Sequence, residues 1–365
     1  MRLGDCGKTN LHTYSDKEKW SLIRYLDTGS ITEGRIDEIQ TLYPGVDKIP
    51  SRARRKASVG DILFSTVRPN QKHYGIIEAG TENLLVSTGF TVVTVDTTIV
   101  DPYFIYYYLT QSSVIESLQA IAEQSTSTYP SIKPSDIEDI ELDLPELETQ
   151  KKIGSTLRML DRKIALNEEI NDNLQQQAQA IYSSMFIDNP DPAWSHGHLS
   201  DLITVKYGKD HKKLADGIYP VYGSGGIMRY VERPLYNKES VLIPRKGTLN
   251  NVMYVNQPFW SVDTMFYTEM KLPNVAKFVY HFVKAKDLAS MNAGSAVPSM
   301  TTDILNAMEV VIPSASALEE FESLVAPMYE AMEANDVQSK ALSQMRDTLL
   351  PKLMSGEIDV SDIQL

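Results

Sequence analysis

The sequence has too little cysteine to support a disulfide or a thiolate-based metal site. Cys6 is the single cysteine among 365 residues, so an internal disulfide and a multi-cysteine zinc site are both excluded. Long apolar runs are also missing, since no stretch approaches the roughly 20 apolar residues of a membrane span. Met1 leads directly into Arg2 without an apolar signal segment. We therefore expect a soluble, cytoplasmic protein with one buried, inert thiol.

Motifs for catalysis are equally scarce. The chain has no G-x-x-x-x-G-K-[ST] phosphate loop, and the run Gly223-Ser224-Gly225-Gly226 has no lysine after it, which indicates a tight loop. The six histidines are scattered apart from His196 and His198. Their spacing, without further ligands, predicts solvated loop residues and no metal site. We expect no catalysis and no cofactor in the chain itself.

Positive charge is in short supply overall, but it is unevenly distributed. The net charge is −13, with −6 over residues 1–145, −7 over 314–365 and +2 over 191–313. Binding to a phosphate backbone depends on Lys and Arg, so the average argues against nucleic acid whereas the local basic clusters do not. We expect a protein partner to cover the acidic segment at 314–365.

An internal repeat organises the chain. Tyr129-Pro130-Ser131-Ile132 matches Val297-Pro298-Ser299-Met300, and the same offset of 168 residues places 142–145 on 310–313. Further upstream, residues 61–64 resemble 240–243 and residues 3–5 resemble 199–201. Self-similarity of this kind predicts two structural units of the same kind.

Each half of the repeat continues into a heptad pattern. After each proline, apolar residues recur at alternating steps of four and three, from Ile153 to Met185 and from Phe321 to Leu353, which is typical of a coiled-coil seam. Two helices with one register favour pairing with each other over packing on separate surfaces. Asn167 and Asn335 occupy equivalent seam positions, where a polar residue fixes register. Arg346 interrupts the second seam, and we expect it at a frayed or partner-facing edge.

The segments outside the helices have an α+β pattern. Short β-patterned runs such as 84–95 and 265–270 alternate with polar loops, and helical stretches at 102–122 and 275–291 precede the Pro-Ser motifs. The predicted organisation is a first domain at 1–145, a long helix at 146–187, a second domain at 188–313, a second long helix at 314–355 and a tail at 356–365.

Basic and amide side chains cluster in polar loops of both domains. Arg and Lys contact guanine edges and phosphates, whereas Asn and Gln pair with adenine, so the mixture favours DNA-reading loops over merely solvated surface. In the first domain the candidates are Arg52, Arg54, Arg55, Lys56, Arg68, Asn70, Gln71 and Lys72. In the second domain they are Lys206, Tyr207, Lys209, Lys212, Lys213, Arg245, Lys246, Asn250 and Asn251.

The layout resembles the S (DNA-specificity) subunits of type I restriction-modification systems. Trp194 leading into residues 199–201, the turn at 218–223 and the closing Leu-Leu-Pro-Lys-Leu-Met-Ser-Gly-Glu-Ile at 349–358 carry the resemblance, which covers essentially the whole chain. The first domain departs from the pattern because it lacks the tryptophan. The resemblance implies two similar target-recognition domains separated by two antiparallel helices in a coiled coil, with a pseudo-two-fold repeat. Each domain would read half of a bipartite, asymmetric site.

The same resemblance implies partners. These are double-stranded DNA, two adenine methyltransferase (M) subunits and restriction (R) subunits, which would carry S-adenosylmethionine, ATP and Mg. Acidic residues on the outer surface of the second helix are our candidates for M binding, namely Glu330, Glu333 and Asp336. Two alternatives stay open. One is a specificity subunit whose partner fuses methyltransferase and nuclease, and the other is a coiled-coil scaffold that binds protein or carbohydrate.

Overall fold

The chain forms two compact units. A computed structural model describes residues 1–125, 129–291 and 299–360. Unit 1 comprises Met1–Leu166 together with the described residues from Val337 onward, and unit 2 comprises Asn167–Asp336. Each unit contains one α+β domain and parts of two long helices. Within the described ranges, every helix is too short or too polar to span a bilayer.

Unit 1 contains the first domain. Its strands are β1 (Gly7–Thr9), β2 (Ile23–Leu26), β3 (Ile31–Thr32), β4 (Arg35–Ile36), β5 (Gln40–Leu42), β6 (Ala53–Lys56), β7 (Ile62–Ser65), β8 (Tyr74–Ile76), β9 (Leu84–Ser87) and β10 (Phe90–Val95). Its helices are α1 (Leu3–Cys6), α2 (Pro102–Leu109), α3 (Ser112–Glu123) and α4 (Pro134–Glu138). Helix α5 (Leu147–Ser183) starts in unit 1 and ends in unit 2.

Unit 2 contains the second domain. Its strands are β11 (Ser195–His198), β12 (Ile203–Tyr207), β13 (Asp216–Gly223), β14 (Gly226–Val231), β15 (Ser240–Pro244), β16 (Met253–Val255), β17 (Trp260–Ser261), β18 (Met265–Met270) and β19 (Glu309–Ile312). Its helices are α6 (Leu199–Leu202), α7 (Ala276–Lys284) and α8 (Thr302–Asn306). Helix α9 (Ala315–Met354) starts in unit 2 and ends in unit 1.

The two domains share one sheet topology. The order β1-β10-β7-β8 in unit 1 matches β12-β18-β15-β16 in unit 2, and every neighbouring pair is antiparallel. The second sheets of the two units also correspond, because β2 pairs in parallel with β9 as β13 does with β17. Unit 1 adds β6 to this sheet, whereas the described part of unit 2 has no equivalent strand. The repeat predicted from the sequence is therefore confirmed at the level of topology.

The repeated Pro-Ser motif has a structural role in both units. Ser131 forms an antiparallel bridge with Val67, and Ser299 forms the equivalent bridge with Lys246. Val297 and Pro298 lie outside the described residues, but the amide of Met300 donates to the carbonyl of Arg245 at 2.9 Å. The motif thus holds the loop that follows β7 or β15, at main-chain positions that do not depend on the loop's side chains.

The long helices pair in an antiparallel manner within each unit. In unit 1, Ile153 and Leu157 of α5 share a buried core with Leu350 and Leu353 of α9. In unit 2, the buried core joins Tyr182 of α5 to Phe321 of α9, with ring centroids 6.2 Å apart. The sequence correctly predicted that each helix has an apolar seam, because apolar residues spaced by four and three share one face of a helix. Tyr182 and Leu350 are buried in addition to the predicted positions.

Asparagines occupy the middle of the seam, as predicted. Asn335 Nδ2 donates to Asn171 Oδ1 at 2.8 Å, and Asn167 Nδ2 lies 3.4 Å from the carbonyl oxygen of Asn335. These bonds satisfy amide nitrogens that would otherwise be costly to bury. They also select one alignment of the two helices, since a shift by one heptad would separate the partners.

A hydrogen bond at an equivalent position attaches each domain to the helices. In unit 1, Tyr107 Oη donates to Asp161 at 2.6 Å. In unit 2, the corresponding residues are His281 and Tyr329, whose Nε2 and Oη atoms lie 3.0 Å apart. Arg346 also pairs with Asp161, at 2.7 Å, so the expectation that it lies at a frayed or partner-facing edge was wrong. Its charge is neutralised by a carboxylate on the facing helix.

Several local predictions were also wrong. The stretch 102–122 forms two helices, because Gln111 adopts an extended conformation between α2 and α3. The stretch 275–291 is helical only as far as Lys284. Further along, the amide of Ala289 donates to the side chain of Asn250. His196 and His198 belong to strand β11, which pairs with β19. Residues 218–223 belong to strand β13, where we expected a turn.

Candidate nucleic-acid interface

In unit 2, one edge of the larger sheet gathers aromatic and basic residues. Strands β12 and β15 end at this edge and the antiparallel strand β18 begins there, so their adjoining loops meet. The amide of Arg245 donates to the carbonyl of Thr264 at 2.9 Å, and the Arg245 guanidinium lies 5.4 Å from the centroid of the Tyr207 ring. Tyr207 is 52% exposed. The pair offers a planar cation and an aromatic face to solvent.

Lysines flank this pair at the same edge. The amide of Lys209 donates to the carbonyl of Ser261 at 2.8 Å, and its carbonyl accepts from Trp260 Nε1 at 2.8 Å. Lys246 lies next to Arg245 and is exposed. Lys212 and Lys213 are exposed in the following turn. Main-chain contacts therefore fix the positions of these residues while their ammonium groups remain in solvent.

Three of the candidates in unit 2 already contact other side chains or the main chain. Lys206 Nζ lies 3.6 Å from a carboxylate oxygen of Glu269 on the neighbouring strand. Asn250 Nδ2 donates to Asp287 at 3.1 Å, and Asn251 Nδ2 donates to the carbonyl of Ser224 at 2.8 Å. The two asparagines hold the loop at 245–251 in place, so their amides have a structural role in addition to any contact with bases.

A β-hairpin lies beside this loop, and the sequence analysis did not include its residues among the DNA-binding candidates. Gly223 pairs with Gly226, which leaves Ser224 and Gly225 as a two-residue turn. The tight loop predicted at 223–226 is therefore confirmed. It is followed by Ile227 and Met228, which are 48% and 61% exposed. Apolar side chains contact thymine methyl groups or wedge between base steps. The signal in the sequence that could have identified these two residues is an apolar pair directly after a glycine-rich turn.

Unit 1 has an equivalent edge. The amide of Thr66 donates to the carbonyl of Gly89 at 2.8 Å, and the amide of Thr88 donates to the carbonyl of Arg52 at 2.9 Å. The β9–β10 turn therefore brings Arg52 close to the loop after β7. In that loop, the Arg68 guanidinium lies 5.1 Å from the centroid of the Tyr129 ring, and Asn70 and Gln71 are exposed. Arg68 and Tyr129 are also an arginine and a tyrosine in contact, but they occupy other positions of the repeat than Arg245 and Tyr207, because Val67 is the equivalent of Lys246.

Other candidates in unit 1 have local partners. Lys72 Nζ lies 2.5 Å from Glu33. Lys56 Nζ lies 2.5 Å from Glu18 and 5.1 Å from the centroid of the Trp20 ring. Burial lowers the pKa of Arg55, and Arg54 is half-buried. The structure thus brings Arg52, Arg68, Asn70 and Gln71 together at the edge, while β6 carries the remaining arginines and Lys56.

Comparison with known proteins identifies the family. The family model for the "Type I restriction modification DNA specificity domain" matches residues 53–176 and again 193–321, which is more than half of the chain. The chain belongs to the type I restriction-modification DNA-specificity family. The two matches coincide with the two halves of the repeat, and each extends from a domain into the long helix that follows it.

Relatives and a solved structure agree with this assignment. The chain is 23% identical to the type I restriction enzyme HindI specificity subunit of Haemophilus influenzae, over 98% of each chain. It is 24% identical to the MjaIX specificity subunit of Methanocaldococcus jannaschii, over 83% of this chain and 79% of that one. The crystal structure of the S subunit from M. genitalium has the same fold, with a TM-score of 0.60, 18% identity and coverage of 97% and 95%. These relatives are specificity subunits, and the family model describes a DNA specificity domain, which supports a role in DNA sequence recognition.

The three acidic candidates for partner binding on α9 differ in their surroundings. Glu330 of α9 is exposed. Asp336 does not lie wholly on the outer surface, since its Oδ1 accepts from Asn171 Nδ2 of α5 at 2.8 Å. Glu333 Oε2 lies 3.5 Å from Asn256 Nδ2. Among the described residues, no three His, Cys, Asp or Glu side chains are grouped so that they could hold a metal ion.

Proposed function

We propose that this chain is the DNA-recognition subunit of a type I restriction-modification enzyme and that it binds a bipartite, asymmetric site. The observation that carries the proposal is the equivalent sheet edge in both units, where an arginine and a tyrosine lie beside exposed basic or amide side chains. Each edge would read one half-site. Arginine and amide groups supply base contacts and lysines supply phosphate contacts.

The proposal assigns chemistry to partner subunits. Two methyltransferase subunits would take the target adenine out of the helical stack, because a stacked base is out of reach of a methyl donor. Restriction subunits would supply ATP-dependent cleavage. S-adenosylmethionine, ATP and Mg would be bound by these partners. The acidic surface around Glu330 is our proposed docking surface for a methyltransferase subunit.

Sequencing of methylated adenines tests the proposal in cells that express the chain with its neighbouring methyltransferase. We expect one bipartite motif to become methylated, with two short specific parts separated by a fixed number of unspecified bases. With a chain truncated before β11, the methyltransferase should not methylate that motif. A methyltransferase that modifies the same motif without this chain would contradict the proposal, as would the absence of any new methylation. Copurification of a separate ATPase would exclude the alternative with a fused methyltransferase and nuclease.

Lys246 and Met228 separate phosphate contacts from base contacts. For Lys246→Ala we expect weaker DNA binding at every sequence, and a salt dependence whose logarithmic slope falls by about 1, because one phosphate contact is lost. For Met228→Ala we expect an unchanged salt slope and a loss of preference at one base position, worth about 1–3 kcal/mol. Fluorescence anisotropy of the complex with the methyltransferase, over a salt series, measures both effects.

Lys238→Ala is the matched control for Lys246→Ala. Lys238 is exposed and precedes β15, so it lies at the opposite end of the strand from Arg245. Its substitution should leave the affinity and the salt slope unchanged. If Lys238→Ala and Lys246→Ala weaken binding equally, the effect reflects net charge and not a binding edge.

A further inference from the structure

Unit 2 contains a cleft whose lining is aromatic and acidic. Its volume is about 250 Å³, and it lies between α5, α7, α9 and the segment that begins with β16. Tyr222, Tyr280 and Tyr329 line it together with Glu333 and Asp336, which are three residues apart on α9. In the part of the chain that the structure describes, no lysine or arginine lines this cleft. The cleft is therefore a site of negative potential.

A second observation concerns hydrogen-bonding capacity inside the cleft. Tyr280 is 6% exposed, and burial raises its pKa to about 12, so its hydroxyl is a neutral donor and acceptor at physiological pH. Within the described residues, this hydroxyl has no hydrogen-bond partner, while the ring packs against Tyr254 and Tyr329. The hydroxyl is not among the fully buried unpaired atoms, so it opens into the cleft. A ligand group in the cleft would supply a partner for it.

The corresponding region of unit 1 shows what such a cleft accommodates. A cleft of about 330 Å³ there is lined by Tyr106 and Asp161, the repeat equivalents of Tyr280 and Tyr329. The guanidinium of Arg346 also lines it and pairs with Asp161 at 2.7 Å and Asp347 at 2.8 Å. The residue of unit 2 that lies 168 positions before Arg346 is Ala178, which is fully buried. Unit 1 thus supplies a cation at this position, whereas unit 2 has alanine there, and its nearby Lys277 pairs with Glu239 and Glu322.

We propose that the cleft of unit 2 binds a guanidinium or primary ammonium group. Glu333 and Asp336 would accept charge-assisted hydrogen bonds, and the tyrosine rings would offer electron-rich faces. The rings of Tyr254 and Tyr329 already have a cation beside them, since Lys277 Nζ lies 5.2 and 5.5 Å from their centroids. Burial raises the pKa of Asp336, and the neighbouring Glu333 raises it further. A bound cation would relieve this repulsion.

The cation has two possible sources, a side chain of a protein partner or a free organic cation such as a polyamine. The first source rests on the proposed function, because the partner would be the methyltransferase subunit. The second does not. Binding of a small cation to the isolated chain therefore tests the cleft independently of the role in restriction and modification.

Titration with L-arginine amide tests the cleft directly. In the full chain carrying ¹³C-labelled tyrosine, we expect the ring resonances of Tyr222 and Tyr280 to shift at millimolar arginine amide. Tyr222→Phe and Tyr280→Phe variants assign them. Nα-acetyl-citrulline amide, which has a similar side-chain shape and no charge, should produce no shift. In Glu333→Gln with Asp336→Asn we expect at least fivefold weaker binding, whereas Glu319→Gln with Glu320→Gln, on the exposed first part of α9, should bind as the native chain does.

Capture of the methyltransferase distinguishes the sources. If Glu333→Gln with Asp336→Asn captures at least tenfold less methyltransferase, and the Glu319 and Glu320 control captures the normal amount, the cation is a partner side chain. If capture is normal and spermidine competes with arginine amide, the ligand is a free cation. Equal shifts with arginine amide and Nα-acetyl-citrulline amide, or equal affinity of the two double variants for arginine amide, would overturn the proposal. Neither of these results bears on the methylation motif, which tests the proposed function separately.

Discussion

Removal of one heptad from each long helix is expected to reduce methylation of the native site by at least about 100-fold, because each lost base-pair contact costs about 1–3 kcal/mol. The deletions are residues 166–172 and 331–337, which lie opposite each other given the pairing of Asn171 with Asp336. If the helices act as the spacer of the proposed bipartite reader, each becomes about 10 Å shorter at about 1.5 Å per residue. Only one half-site could then be engaged on DNA with the native spacing.

A series of DNA sites with different spacers measures this effect. About 10 Å corresponds to about three base pairs at about 3.4 Å each, so a site shortened by three base pairs should be methylated better than the native one. Its methylation will stay below the native level, because three base pairs also rotate one half-site by about 100°. Replacement of the same residues with an idealised heptad of equal length is the control and should preserve the native spacer preference. If the methyltransferase with the shortened chain methylates a site with the native spacing normally, the helices do not set the spacing.

The parts of the fold that follow from local pattern could be predicted from the sequence. The heptad positions of Ile153 and Phe321 identified both seams, because the side-chain period of a helix is a local property. Strand β18 occupies Met265–Met270, the range predicted from its pattern. The offset of 168 residues also relates helices α4 and α8, at Pro134–Glu138 and Thr302–Asn306, although the sequence analysis predicted neither of them.

Features that depend on contacts distant in sequence could not be predicted. Arg346 breaks the heptad pattern, and only the structure shows Asp161 opposite it. Asn250 and Asn251 have the composition of base-reading residues, yet their amides bond to Asp287 and Ser224. The cleft of unit 2 combines Tyr222, Tyr280 and Glu333 from three separate segments. Residue type indicates which chemistry is available, whereas the fold decides which partner uses it.

The hydrogen bond between His281 and Tyr329 in unit 2 provides a pH-dependent prediction. His281 Nδ1 lies 2.8 Å from Gln179 Oε1, so Nδ1 carries the proton and Nε2 accepts from Tyr329 Oη. The imidazole is fully buried, and the rings of Tyr182 and Phe321 lie 5.7 and 5.9 Å from it. Burial lowers the pKa of His281 from 6.5 to about 4. The histidine therefore stays neutral in the folded chain at a pH at which it would be protonated after unfolding.

We expect unit 2 to lose stability as the pH falls from about 6.5 to about 4. In this range the unfolded state binds a proton that the folded state does not, so protonation favours unfolding. The contribution of His281 is fully present above pH 6.5 and decreases by about 2 kcal/mol at pH 5 and about 3 kcal/mol at pH 4, at 1.36 kcal/mol per pKa unit. Other groups also titrate in this range, so a variant is needed to isolate the histidine.

Denaturant unfolding of native and His281→Gln chains between pH 7.5 and pH 4.5 makes this comparison. Trp194 and Trp260 belong to unit 2 and Trp20 to unit 1, so tryptophan fluorescence in a Trp20→Phe background reports on unit 2. Glutamine does not titrate, and the variant should be less stable than the native chain at pH 7.5 because the buried ring is lost. The difference in unfolding free energy should then shrink by about 2 kcal/mol towards pH 5. A difference that is constant with pH would show that His281 does not resist protonation in the folded chain. The hydrogen bonds of His281 with Gln179 and Tyr329 would then not depend on a neutral imidazole.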